Sequence, residues 1–227
     1  MDSTIVTMSN SSRATTVALL QRASIVFWDF DGVIKDSVAA KSDGYEQLFM
    51  SYGKKVAGRV RKHHEAHGGV SRYEKIPIYL NWAGESGTVA RVQEFCDRFS
   101  KLVRQAVINS PWVPGVREYL QEHCARQRFV LLTATPQEEI QEILHELDIA
   151  HCFDFLCGAP TPKADAIADI LRSLLYSVEA ALVIGDSESD LAAAEANGVA
   201  FLLRCTAINQ ALQNRYPGPM FDDLAYE

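Results

Sequence analysis

Short unbroken apolar runs alternate along this chain with longer segments whose apolar residues recur every three or four positions. Unbroken runs of this kind are typical of strands buried on both faces of a parallel sheet, and the three-to-four spacing is typical of amphipathic helices. Because helical segments separate the later runs, the pattern predicts an α/β fold with a doubly wound parallel sheet. The predicted strands are 25–28, 129–133, 153–157, 180–184 and 199–203.

Between the first and second apolar runs, residues 38–110 show only the helical spacing. Ser71 stands three residues before Glu74, which is a capping-box signature for the start of a helix. We therefore predict a separate small helical domain after the first strand, with 111–115 as a stiff link back to the sheet. One predicted helix carries its apolar face on Val89, Val92, Phe95, Phe99, Leu102 and Val103.

The two ends of the chain carry little pattern. Residues 1–24 are rich in Ser and Thr, and their one apolar piece is too short for the core of a signal peptide. We interpret this stretch as a flexible leader or a short helix, and the Pro–Gly–Pro stretch 217–219 as a loose tail. The predicted domains are therefore a leader (1–24), an α/β core (25–37 with 111–227) and a helical domain (38–110).

Composition narrows the class of protein. The 227 residues are 48% hydrophobic and 22% charged, which is ordinary for a soluble globular protein. The net charge of -7 makes a nucleic-acid duplex an unsuitable partner, although a local metal ion and a few basic residues still allow a small anionic substrate. No apolar run approaches the roughly 18 residues of a membrane span, so no membrane partner is expected. Five dispersed cysteines fit reduced thiols in a cytoplasmic protein.

The candidate chemistry begins with two aspartates at the end of the first predicted strand. Asp29 and Asp31 are two residues apart, so they point to the same side of an extended chain. They would lie at the carboxyl end of the strand, where open α/β sheets bind ligands. Two such carboxylates repel each other unless a cation such as Mg²⁺ neutralises them. The alternative is that they only cap the turn before Gly32.

Polar residues also follow other predicted strands, and one lysine opens a predicted helix. Because the carboxyl ends of parallel strands share one edge of the sheet, these residues can converge. Together they suit phosphoryl transfer: a carboxylate nucleophile, a divalent cation, a hydroxyl and a lysine for the phosphate oxygens, and a second carboxyl to move a proton. The candidates are Asp29, Asp31, Thr133, Lys163, Asp186 and Asp190.

These residues, in this order, resemble the four motifs of the haloacid dehalogenase-like superfamily. The resemblance rests on Asp29-Phe30-Asp31-Gly32, Thr133, Lys163 and Gly185-Asp186-Ser187-Glu188-Ser189-Asp190, and extends from about residue 25 to residue 203. It implies a Rossmann-like core, and it identifies the inserted helical block as similar to the four-helix cap of the family.

The resemblance implies a role for each carboxylate. Asp29 matches the nucleophile, which also binds Mg²⁺. Asp31 matches the general acid/base, with its backbone carbonyl on the metal. Asp186 matches the metal-binding aspartate. Asp190 matches a second acidic position, which either approaches the metal through water or orients Lys163.

The resemblance also implies which residues hold the substrate. Thr133 matches the hydroxyl that binds phosphate, and Lys163 matches the lysine that stabilises both nucleophile and phosphate. Ala134 replaces an Asn that many members have after the hydroxyl, and its expected contribution is the backbone amide. The stretch Gly69-Val70-Ser71-Arg72 resembles β-phosphoglucomutase, in which this arginine grips the phosphate that is not transferred. Arg72 is accordingly expected to face the substrate from the cap.

An acid at Asp31 favours a phosphate ester, because an alkoxide leaving group needs a proton and a halide does not. The expected function is a Mg²⁺-dependent phosphatase for a small phosphomonoester, for example a phosphorylated sugar or hydroxy acid. The alternatives are a β-phosphoglucomutase-like mutase, from which Lys41 departs because it stands where a His is usual, and a non-catalytic binding protein. The stretch 59–67, rich in Arg, Lys and His, is either a solvated helix or a contact for an anionic substrate. Monomer and dimer both remain open.

Overall fold

A single parallel sheet forms the centre of the molecule, with helices packed on both of its faces. The computed structural model describes residues 10–225. Its six strands are β1 Ile25–Trp28, β2 Arg128–Pro136, β3 Phe155–Ala159, β4 Ala181–Gly185, β5 Ala200–Arg204 and β6 Met220–Phe221. They lie in the order β3-β2-β1-β4-β5-β6, which is that of a doubly wound Rossmann-like sheet, so the predicted fold class is confirmed.

The central strand β1 explains why its apolar run is unbroken. Val26 and Trp28 belong to one hydrophobic cluster, and Ile25 and Phe27 belong to the other. Alternate residues of a strand point to opposite faces of the sheet. All four side chains are nevertheless fully buried, because both faces are covered at β1. The core helices that cover these faces are α1 Asn10–Arg22, α6 Val116–His123, α7 Gln137–Glu146, α8 Lys163–Leu174, α9 Glu188–Ala196 and α10 Gln210–Arg215.

Four helices form the unit inserted after β1, which we call the cap. They are α2 Val38–Phe49, α3 Lys54–Ala66, α4 Arg72–Trp82 and α5 Val89–Asn109. Aromatic side chains fill the space between them: Tyr45 and Phe99 stack with ring centroids 3.9 Å apart, and Tyr79 meets Tyr45 edge-on at 5.5 Å. These rings belong to the same hydrophobic cluster as Val26 and Trp28, so the core of the cap is continuous with one face of the sheet.

Two segments that run side by side connect the cap to the sheet. The Asp36 amide donates to the Pro111 carbonyl (2.8 Å), and the Val113 amide donates to the Ile34 carbonyl (3.0 Å). Buried Lys35 donates to the Ile108 carbonyl at 3.0 Å. The chain therefore leaves and re-enters the core at one hydrogen-bonded junction, directly after the residues that end β1.

The chain ends differ from the sequence-based expectations. Of the two interpretations of the leader, a flexible segment or a short helix, residues 10–22 form the helix, α1, which buries Leu20. The leader up to residue 9 lies outside the described residues. The expected loose tail 217–219 is followed directly by strand β6, which pairs with β5 and buries Phe221, and the Pro219 carbonyl accepts from the Leu203 amide at 3.1 Å. A strand of two residues is too short to leave a periodic pattern. On α5, Val89 is 88% exposed, so the predicted apolar face begins one turn later.

The end of strand β2 also shifts. Strand β2 extends beyond the predicted end at Thr133 to Pro136, with an irregular register between Leu132 and Pro136. Pro136 is the residue that precedes α7. No helix within residues 10–225 combines the length and the apolar character that crossing a bilayer requires.

Candidate active site

Four of the predicted residues meet at the carboxyl edge of β1 and β4. Asp29 follows β1, Asp186 follows β4, Lys163 opens α8, and Asp190 lies in the first turn of α9. The Lys163 ammonium donates to Asp29 Oδ1 at 2.8 Å and to Asp190 Oδ1 at 2.5 Å. All four side chains are buried or nearly so. The topology thus joins three segments that lie far apart in the sequence.

Asp190 is engaged through both of its carboxylate oxygens. Oδ1 accepts from Lys163, and Oδ2 accepts from the Ser187 amide (3.1 Å) and hydroxyl (2.6 Å) in a capping box at the start of α9. This arrangement fixes the ammonium of Lys163 beside Asp29. Of the two roles that the sequence left open for Asp190, the geometry supports orientation of Lys163.

The cluster carries excess negative charge. Carboxylate oxygens of Asp29, Asp186 and Asp190 lie within 4.8 Å of one another. Burial, then the charge of Asp190, raises the pKa of Asp29 to about 7 even though Lys163 opposes the shift. Burial and the charges of Asp29 and Asp190 likewise raise the pKa of Asp186. Closely spaced oxygen ligands that destabilise one another's charge suit a hard cation such as Mg²⁺, so the residues fit the metal that the sequence predicts.

Gly32 allows Asp31 and Asp186 to come close together at this edge. Its φ of +82° is in the region that favours glycine, and an added Cβ would lie 2.2 Å from Asp186 Oδ2. The glycine that follows Asp31 therefore serves the close approach of two strand ends, in addition to ending the turn.

Asp31 lies beside this cluster and has partners of its own. Its carboxylate accepts from the Ser37 hydroxyl (2.6 Å), from the Lys41 ammonium and from the Thr135 hydroxyl (3.4 Å). Burial works to raise the pKa of Asp31, but the charge and hydrogen bond of Lys41, with that of Ser37, outweigh burial and lower it. Sequence reasoning did not include Ser37, Lys41 or Thr135 in the site. The available signals were the unusual Lys41 and the position of Thr135 two residues after Thr133.

The second motif contributes its residues in different ways. Thr133 is buried, and its hydroxyl accepts from the Thr135 amide at 3.2 Å. Ala134 lines the cavity above the carboxylates. The contacts of Thr133 and of the Ala134 amide with phosphate stay predictions.

A cavity of about 230 Å³ lies between the core edge and the cap. Its floor includes Asp29, Asp31 and Asp186, so the candidate nucleophile opens into it. The cap contributes both charged and aromatic groups, among them Lys41, Tyr45, His64, Arg72, Lys75 and Phe99. The cap therefore forms the wall of the cavity opposite Asp29, Asp31 and Asp186.

Arg72 joins the cap to the core. Its guanidinium donates to both oxygens of Glu139 on α7 (2.8 and 2.9 Å) and to the Ser100 hydroxyl at 2.5 Å. The Arg72 and Glu139 side chains are only 3% and 8% exposed. The charge of Arg72 is thus balanced by a core carboxylate, and its expected contact with substrate stays a prediction.

A second contact between cap and core involves Gly69. Its φ is +73°, and a Cβ there would lie 2.0 Å from the Ser189 hydroxyl and 2.5 Å from that of Ser187. The cap loop therefore lies directly on the loop that carries Asp186. Only a residue without a side chain allows this approach.

Comparison with known proteins places this geometry in context. The family model described as haloacid dehalogenase-like hydrolase matches residues 26–203. The phosphorylated carbohydrates phosphatase of Thermotoga maritima is 30% identical over 187 residues, which are 77% of this chain and 81% of the relative. A phosphoglycolate phosphatase of Pseudomonas fluorescens is 22% identical over 199 residues, 85% of this chain and 72% of the relative. The crystal structure of a β-phosphoglucomutase from Clostridium difficile has a similar fold, with a TM-score of 0.69, 17% identity, and coverage of 89% of this chain and 92% of that one.

Proposed function

The chain belongs to the haloacid dehalogenase-like hydrolase family, and we propose that it is a Mg²⁺-dependent phosphatase that acts through an aspartyl-phosphate. Phosphoric monoesters are the class of substrate of this chain. The observation that carries this proposal is the buried cluster in which Lys163 contacts both Asp29 and Asp190 beside Asp186. The names of the relatives favour a phosphorylated sugar or phosphoglycolate as substrate. The cytoplasmic location expected from the cysteines stays a prediction.

Asp29, Asp186 and the Asp31 carbonyl would hold the metal. When bound, Mg²⁺ screens the repulsion between the anionic nucleophile and the anionic phosphate. Lys163 adds a second positive charge at Asp29 Oδ1, where it orients the nucleophile and neutralises phosphate oxygens. Asp190 serves this step indirectly, because it fixes the position of the Lys163 ammonium.

The reaction that we propose has two steps. Asp29 attacks phosphorus, the bond from phosphorus to the ester oxygen breaks, and Asp31 gives a proton to the departing alkoxide. Asp31 then takes a proton from water as the water oxygen attacks phosphorus, which releases inorganic phosphate and regenerates Asp29. Lys41 holds Asp31 as a carboxylate in the enzyme without substrate. Asp31 must therefore take up a proton from solvent before the first step, which requires this ion pair to loosen when the phosphate arrives.

Release of phosphate from a panel of sugar and hydroxy-acid phosphates, with and without Mg²⁺, tests the proposal. We expect metal-dependent release that is lost in Asp29→Asn. Isomerised product without free phosphate, in the presence of a sugar bisphosphate, would instead favour the mutase alternative. Absence of turnover on the whole panel would favour a binding protein that retains the fold.

A further inference from the structure

We propose that Lys75, with His64 beside it, binds a second anionic group of the substrate. The preferred substrates would then be small phosphomonoesters that carry a carboxylate or another phosphate at the end opposite the reacting one. The inference rests on the proposed phosphatase function and specifies its substrate class.

Among the described residues, every carboxylate that lines the cavity has an ion-pair partner except Asp186, the proposed metal ligand. The others form the ion pairs Asp29–Lys163, Asp31–Lys41, Glu65–Arg61 and Glu188–Arg215. Apart from the carboxylates that would hold the metal, no negative charge in the described part of the cavity wall is therefore left to pair with Lys75.

Three side chains of Lys or Arg line the cavity from the cap, and two are matched. Lys41 pairs with Asp31, and Arg72 pairs with Glu139. Lys75 is 2% exposed, yet its ammonium contacts only neutral acceptors, His64 Nδ1 at 3.0 Å and the His67 carbonyl at 3.1 Å. Within residues 10–225, it is the one cavity-lining Lys or Arg without a carboxylate partner.

The hydrogen-bond donors of this pair are also incompletely used. A lysine ammonium has three protons, and two of them are directed to His64 and His67. Because a charged Lys75 can only donate, His64 Nδ1 accepts and the ring proton lies on Nε2. That nitrogen is buried and has no hydrogen-bond partner in the part of the chain that the structure describes. One ammonium proton and one imidazole proton thus remain for an acceptor.

The electrostatic environment agrees with this assignment. Burial, then the charge of Lys41, lowers the pKa of Lys75 to about 7; Arg72 acts in the same direction, whereas Asp31 and Glu74 oppose it. An incoming anion would restore the favourable balance for the charged ammonium. A buried lysine that opposes folding is typical of a group kept for function.

The position of Lys75 also limits the size of the substrate. Lys75 and Asp31 line the same cavity, whose volume of about 230 Å³ suits a small metabolite. A phosphate bound at Asp29 and an anion bound at Lys75 would therefore be separated by few atoms.

Three two-carbon phosphomonoesters that differ only at the far end test the proposal: 2-phosphoglycolate, ethane-1,2-diol bisphosphate and 2-hydroxyethyl phosphate. In the wild type, kcat/KM should be higher for at least one of the two anionic esters than for the alcohol. Lys75→Met should reduce that preference by about 10- to 100-fold, the range expected when a hydrogen bond to a charged group is lost. The matched control is Lys62→Met, which removes an exposed charge from α3 of the same cap and should leave the preference unchanged.

The outcomes separate the two proposals. Failure of the wild type to release phosphate from these esters and from the wider panel would refute the proposed function, whereas activity on the wider panel alone would overturn the preference for a small substrate with a second anionic end. Hydrolysis with equal losses on all three esters in Lys75→Met, or a wild-type preference for the alcohol, would overturn the role of Lys75 and leave the phosphatase intact. Which of the two anionic esters responds to Lys75→Met identifies the group as carboxylate or phosphate.

Discussion

Replacing Glu139 with Met should destabilise the protein strongly, because it leaves the charge of Arg72 buried without a counter-ion. The ion pair is bidentate, with distances of 2.8 and 2.9 Å, and its side chains are 3% and 8% exposed. Removing one partner of such a pair typically costs about 3 to 5 kcal/mol. At about 2 to 4 °C per kcal/mol for a chain of this size, the melting temperature should fall by about 6 to 20 °C.

The reverse substitution, Arg72→Met, should have a smaller effect. A lone buried carboxyl can become neutral by taking up a proton, whereas an arginine remains charged. Glu139 also retains the Ser100 hydroxyl, which donates to its Oε2 at 2.5 Å. The double variant, with Met at both positions, should lie closer to the wild type than Glu139→Met does, because no buried charge remains.

Urea unfolding of the four proteins gives the coupling free energy between the two residues. Arg104 and Glu142 provide a matched control, since they join the cap to the same core helix α7, from α5 instead of α4, at 2.6 Å, but are 42% and 57% exposed. Exposed pairs contribute at most about 1 kcal/mol, so Glu142→Met should have little effect. Equal stability of Glu139→Met and Glu142→Met would refute the reasoning that burial makes Arg72–Glu139 a strong link between the domains.

Four further predictions concern the site and the cap. Asp29→Asn should abolish phosphate release while far-UV circular dichroism stays unchanged, and residual turnover would contradict the role of Asp29 as nucleophile. Asp186→Asn should raise the Mg²⁺ concentration needed for half-maximal activity, and an unchanged Mg²⁺ requirement would contradict its role as metal ligand. Gly69→Ala should speed proteolysis of the free enzyme more than Gly53→Ala does, because both positions have positive φ (+73° and +95°) but only the first would meet neighbouring atoms. Lys75→Met should flatten the dependence of stability on pH. The pKa of Lys75 is about 7 in the folded protein and about 10.4 in the unfolded chain. Between these two values the unfolded chain holds one more proton than the folded protein, so the stability of the wild type rises with pH. Urea titrations at several pH values across this window check the last prediction, and equal slopes for variant and wild type would contradict it.

The core could be predicted from sequence because its signal is local. The buried strand β4, Ala181–Gly185, is apolar in each of its first four residues, and such runs also give the order of strands and helices. Asp186 follows from the same pattern, since the topology of a parallel sheet brings polar strand ends to one edge. Strand β6 was missed because Met220 and Phe221 are too few to form a pattern, and their pairing depends on the edge of β5.

The contacts between cap and core could not be predicted in this way. Arg72 and Glu139 are 67 residues apart, and Lys41 and Thr135 are 94 apart, so neither contact follows from spacing within a helix or strand. These contacts depend on how one folded unit docks on the other. The resemblance at Arg72 suggested a substrate contact, and only the docked geometry introduces Glu139 as its partner.

The two walls of the cavity carry opposite unbalanced charges, and this has a consequence for closure of the cap. The core edge has more carboxylates than Lys163 can neutralise. On the cap, Lys75 has no counter-ion and lies near the positive charges of Lys41 and Arg72. Without substrate, burial of the Lys75 ammonium opposes the closed arrangement, and the Arg72–Glu139 pair together with the close approach of Gly69 favours it. A phosphomonoester with a second anionic end would offset that cost when it binds, because it would supply the ammonium with a counter-ion. Such a substrate would therefore favour closure more than a neutral one, because its charge interacts with Lys75 only when the cap lies over the core.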